Sequence, residues 1–167
     1  MKLYQVSHLK HFMKQLLLSD CFDWFLLKEG TITTSNTFHI DGQVQKDFYS
    51  HDEIADGVCC PYDYSEWKEI RPLCMHLIKG KRTPLFFKFV LLLSPAYTEK
   101  ILAGSDFRDT NGWIRFFTLT IKYDGNHATL MTGISTSSFV PDHTPEQIWD
   151  QAFSNFLKKN QLEMEEL

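Results

Sequence analysis

The sequence predicts an α+β fold in one domain, a mostly antiparallel sheet with helices packed against it. Three observations carry this. At 167 residues the chain has about one domain's length. Stretches with a period-two apolar pattern alternate with stretches of helical period. Adjacent strands are joined by short polar turns more often than by helical crossovers, which favours antiparallel pairing. Aromatic residues make up 14% of the chain, 14 of them Phe, enough rigid apolar area to exclude a disordered or linker-like chain.

Lys2–Val6 reads as a short strand. Ser7 stands where an N-cap belongs, before a helix from His8 to about Leu18, whose residues Leu9, Phe12, Met13, Leu16 and Leu17 form one stripe. Trp24–Leu27 is a strand run that continues through Gly30 into a Thr-rich strand, Thr31–Ile40. Asp41-Gly42 then marks a turn, and Gln43–Tyr49 returns. Side-chain parity demands an odd loop, Ile40-Asp41-Gly42, with Gly42 left-handed in a bulge. That register puts Ile32, Phe38, Val44 and Phe48 on one face. Thr31, Thr33, Ser35, Thr37, His39, Gln43, Gln45 and Asp47 fall on the other, all polar.

Ser50–Tyr62 is an acidic loop with room for one helical turn. Asp63 followed by Glu66 resembles a capping box and opens a helix reaching Lys79, with Trp67, Ile70, Leu73, Cys74, Leu77 and Ile78 inward. Pro72 either kinks this helix or starts a second one, and Gly80 suits its C-terminal stop. Leu85–Leu93 is apolar on both faces and belongs at the sheet centre. Ser94-Pro95 opens a short helix that ends before Gly104. Trp113–Tyr123 and His127–Phe139 pair across Asp124-Gly125. Thr144-Pro145-Glu146-Gln147 opens the last helix, with Ile148, Trp149, Ala152, Phe153, Phe156 and Leu157 on its inner stripe. The order is β-α-β-β-α-β-α-β-β-α over a single domain, 1–167, and the acidic residues 161–167 are expected to fray.

Seventeen basic against 21 acidic residues give a net charge of −4, which argues against a nucleic-acid partner. Charge is unevenly distributed. Asp41–Glu66 is strongly acidic and Lys68–Lys100 is strongly basic, and the simplest expectation is that the two neutralise each other. No apolar run is long enough to span a membrane, and the first residues lack a secretory pattern. Cys21, Cys59, Cys60 and Cys74 form no metal-binding or redox spacing; as free thiols they fit a reducing cytoplasm. No metal and no cofactor is expected.

Three surfaces are candidates for function. On the polar hairpin face His39 lies close in sequence to Asp41 and Asp47, the minimum for general acid-base work, and Thr33, Ser35 and Thr37 could bind a polar ligand; the plainer reading is a solvated sheet face. Lys79-Gly80-Lys81-Arg82, with Arg71, could clamp an anion; the plainer reading is cations favourably placed at a helix C-terminus. Trp24, Phe86 and Phe116 fall on undecided strand faces and could line a pocket or stack bases, or simply pack under a helix. Searches for nucleophile elbows, zinc-protease, dinucleotide and calcium-loop motifs find nothing.

Thr37-Phe38-His39-Ile40-Asp41-Gly42, Ile70-Arg71-Pro72 and Lys79-Gly80-Lys81-Arg82-Thr83-Pro84 together resemble a small family of uncharacterised clostridial-type bacterial proteins, catalogued as a domain of unknown function. The resemblance spans nearly the whole chain. It implies a one-domain cytoplasmic bacterial protein and transfers no catalytic residue. The expected function is a non-enzymatic module that binds a small molecule or a protein, and a homo-oligomer is compatible with it. The alternatives are a hydrolase- or transferase-type enzyme using His39 with a nearby Asp and the anion clamp, and a single-stranded nucleic-acid binder.

Overall fold

The most apolar stretch of the chain, Phe86–Leu93, lies inside an eight-stranded sheet in which every pairing is antiparallel. The structure is a computed structural model that describes residues 1–167. Its elements in chain order are β1 Leu3–Val6, α1 Leu9–Leu17, β2 Phe25–Thr33, β3 Thr37–Asp41, a 3-10 turn Lys46–Phe48, α2 His51–Ala55, β4 Ser65–Glu66, α3 Trp67–Ile78, β5 Phe86–Leu93, α4 Pro95–Ala103, β6 Ile114–Tyr123, β7 Ala128–Thr136, α5 Thr144–Lys159 and β8 Met164–Glu166. The sheet order is β3-β2-β5-β6-β7-β1-β8, with β4 pairing onto β2. The expected α+β class and the central place of β5 hold.

One face of the sheet is buried under helices in a single apolar cluster. Phe25, Leu27 and Ile32 of β2, Phe87, Phe89, Leu91 and Leu93 of β5, and Phe117, Leu119, Ile121 and Tyr123 of β6 meet Phe12 and Leu16 of α1, Trp67 and Cys74 of α3, and Trp149 and Phe153 of α5. The aromatic excess resolves here into a linked series: Phe12 contacts Phe22, Phe22 contacts Phe156, Phe156 stacks on Phe153, and Trp149 lies flat on Phe117. Each such side chain contributes about 1.5–3 kcal/mol on burial. The opposite face is wet along the middle of the sheet, whereas Leu26 and Leu92 are buried on it beside β4. A cross-strand row of His39, Thr31, Lys88, Lys122, Thr129, Gln5 and Glu165 runs over it without one apolar member. An antiparallel sheet tolerates this because only one of its faces needs a core.

Six expectations fail. The hairpin turns early, at Thr34-Ser35-Asn36, where Thr34 N–H donates to the Asn36 carbonyl at 2.9 Å. β3 then runs back along β2 from Thr33↔Thr37 to Glu29↔Asp41. Residues 43–49 form no return strand: Gln43 makes one bridge to Tyr64, and the 3-10 turn follows. Gly42 is not left-handed. Glu66 caps α3 without a side-chain bond, and the capping box instead closes α2, between Ser50 and Glu53. Leu73 is exposed on α3, and the helix continues through Pro72. Residues 161–167 do not fray: Leu162 is buried, and β8 pairs with β1 as an edge strand.

Candidate functional site

α1 docks along α3, and the chain leaving α3 crosses back to β5 through Lys79–Pro84. These three pieces enclose a cavity of about 410 Å³ that opens to solvent. Its walls are apolar. Leu9, Met13 and Leu17 project from α1 at helical spacing, Met75 and Ile78 from the last turn of α3, and Phe87 and Tyr123 form the floor. The floor is aromatic: Phe87 stacks on Tyr123 with ring centroids 5.1 Å apart. The Tyr123 hydroxyl is already spent, donating to the Gly125 carbonyl at 2.8 Å.

The mouth of the cavity is cationic. Lys10 and Lys14 from α1 face Lys79, Lys81 and Arg82 from the α3–β5 connection, and no Asp or Glu lines the cavity. Five of the 17 bases therefore border one opening. None of the five takes part in an ion pair. The acidic and basic stretches do not neutralise each other as expected, because only the pair Glu66–Lys68 joins them.

The structure divides the expected site residues. Lys79, Lys81 and Arg82 come together at the cavity mouth. Arg71 does not join them. Its guanidinium grips Asp23 through two bonds, Nε to Oδ1 at 2.8 Å and Nη2 to Oδ2 at 3.1 Å, and ties α3 to the loop before β2. The carboxylate beside it raises the Arg71 pKa, with burial opposing.

On the wet face, Thr31 Oγ1 and His39 Nδ1 are 3.2 Å apart, and Thr33 and Thr37 bond each other across the hairpin at 3.0 Å. Ser35 sits in the turn between them. His39 and Asp41 border a polar cavity of about 420 Å³ with Glu29 and Lys88, separate from the cationic cavity. The Asp41 carboxylate accepts from Gln43 N–H at 3.0 Å, and Asp47 lies apart on the 3-10 turn. No ion pair joins His39 to either acid. The histidine and the basic clamp thus do not converge on one concavity. Trp24 is stacked on Tyr97 at 4.8 Å and Phe116 packs edge-on to Tyr64. Both therefore have aromatic partners within the fold.

Sequence reasoning missed half of the site. Lys10, Lys14, Met13, Met75, Phe87 and Tyr123 line it, and the sequence singles out none of them as a site residue. A signal existed: Lys10 and Lys14 are an i,i+4 like-charge pair flanking the apolar stripe of α1, an arrangement that costs an isolated helix stability. No group of three or more His, Cys, Asp or Glu side chains is placed to hold a metal ion, and no helix is long and apolar enough to cross a membrane.

Among known proteins, the model of a family of unknown function, DUF5721, matches residues 15–165. No curated protein and no solved structure matches the chain.

Proposed function

The chain belongs to this family of unknown function, and from that premise we propose that it is a non-enzymatic binding module whose site is the cavity between α1, α3 and the Lys79–Pro84 connection. One observation carries the reading. An apolar concavity of about 410 Å³ is left open to water beside an otherwise continuous core. Filling it with a ligand's apolar body removes surface from water at about 25 cal/mol per Å², and ligand sites are commonly concavities of this size and lining. The lining holds no His, Cys, Asp or Glu, which leaves only its lysines and the committed Tyr123 as acid-base groups and supports binding over catalysis. The four free thiols fit a module working in a reducing cytoplasm.

The test uses Nile red, a neutral dye that brightens in apolar surroundings. The wild-type protein brightens and blue-shifts it. Ile78→Trp, which fills the wall, abolishes the response while leaving the far-UV circular dichroism and the melting cooperative. A wild-type protein that leaves the dye dark, or a filled variant that responds undiminished, overturns the assignment.

A further inference from the structure

The geometry points to one ligand class for this cavity: a single-chain amphiphile with an anionic head, carboxylate or phosphate. The inference rests on the cavity being a binding site.

The interior fixes the nature of the ligand's body. Leu9, Met13, Leu17, Met75, Ile78 and Phe87 offer no polar partner, and the hydroxyl of Tyr123 is committed to Gly125. A sugar or a nucleoside placed there would lose its water without regaining hydrogen bonds, at about 1–3 kcal/mol for each unsatisfied group. A hydrocarbon chain loses nothing. Met13 and Met75, unbranched and adaptable, suit a chain that bends. A volume of about 410 Å³ is near the lower end of the roughly 300–1,000 Å³ range of ligand pockets, which favours one chain over two.

The mouth fixes the head. Lys10, Lys14, Lys79, Lys81 and Arg82 border it with no acid among them, and none is neutralised within the chain. Helix C-terminal partial charge accounts for a cation near the end of α3. It does not account for Lys10, which lies in the first turn of α1, where a cation is unfavourable and no acid is present. Two elements thus bring unpaired cations to one rim from opposite sides. A carboxylate or phosphate seated between them would relieve that repulsion and gain charge-assisted hydrogen bonds. Long Lys and Arg stems reach the head while their methylenes extend the apolar wall.

The experiment measures displacement of Nile red by dodecanoate, dodecyl phosphate, dodecanol and dodecyltrimethylammonium, each below its micellar concentration, with cosedimentation on phosphatidylglycerol vesicles as a parallel arm. Both anions are expected to displace the dye at concentrations about tenfold or more below dodecanol, with the cation weakest. The triple variant Lys79→Gln, Lys81→Gln, Arg82→Gln should lose that preference, the anions and dodecanol then displacing the dye at similar concentrations. If dodecanol competes as well as the anions, the head assignment falls while the cavity remains a binding site. If neither dye nor any amphiphile binds, the binding reading itself falls. Cosedimentation without binding of the monomeric anions identifies a membrane-docking surface and overturns the inference.

Discussion

Two buried thiols show how placement sets chemistry for single side chains. Cys74 faces the core from α3 and is fully buried; burial pushes its pKa up from 9.0 to about 12. Cys21 is raised similarly, by burial first and then by the nearby Asp20 and Asp23. In the unfolded chain both thiols ionise near the ordinary value, so above about pH 9 the unfolded state releases protons that the folded state retains. The stability these thiols contribute is fully present below about pH 9 and is lost progressively as pH rises toward about 12. The slope approaches 1.4 kcal/mol per pH unit for each thiol, in order of magnitude. Cys74→Ala removes one of the two titrations. Its unfolding free energy by urea titration should therefore fall less between pH 8 and pH 10 than that of the wild-type protein, although its stability at pH 8 is lower because of the cavity it leaves. An equal or larger fall in the variant contradicts this account.

The β2–β3 hairpin shows which elements can be read from sequence. Strands with one apolar face announced themselves, and β5, β6 and β7 lie within a few residues of their expected bounds. The Thr-rich stretch did not, because its alternation is identical before and after the true turn. Ile32 faces Phe38, and Thr31 faces His39, as same-face partners in the observed register, and the longer strand also put them on shared faces. Parity therefore could not tell a turn at 34–36 from one at 40–42. The role of Gly42 was misassigned for the same reason. It is needed not for a left-handed turn but for close approach, where a Cβ would lie 1.8 Å from the Leu27 carbonyl oxygen. Gly42 N–H donates to Lys28 O, and its carbonyl accepts from Ser65 N–H, so this backbone crosses between β2 and β4 at hydrogen-bond distance. Gly42→Ala should cost about 3 kcal/mol or more, at the upper end of overpacking penalties. Gly104→Ala, where the nearest atom stands 3.5 Å away, should stay within about 0.5 kcal/mol of wild type. Thermal melts of the two variants test the contrast, and a Gly42→Ala protein as stable as the Gly104 control refutes the close-packing role.

Across the whole molecule the charges are sorted rather than paired, and the functional reading depends on that. Three of the five cations of the mouth were legible, since Lys79, Lys81 and Arg82 fall within four residues of the chain. Lys10 and Lys14 join them only when α1 docks on α3, a packing event that no local pattern encodes. The folded protein then holds five like charges around one opening without an internal counter-charge. Such repulsion opposes folding, so neutralising part of it should stabilise the unliganded protein and weaken anion binding together, the usual conflict between stability and function. In the double variant Lys14→Gln, Lys81→Gln, each relieved like-charge pair contributes roughly 0.2–0.5 kcal/mol. That gain should appear as a higher melting temperature at low ionic strength. Screening removes its source, because the Debye length contracts from about 30 Å at 0.01 M salt to about 3 Å at 1 M. The wild-type melting temperature should therefore rise with salt more steeply than the variant's, the two curves approaching each other at high salt. A variant less stable than wild type at low salt means that these lysines have partners that stabilise the fold, and a gain independent of salt means that its origin is not charge; either result refutes the picture of an unsatisfied cationic mouth awaiting an anion.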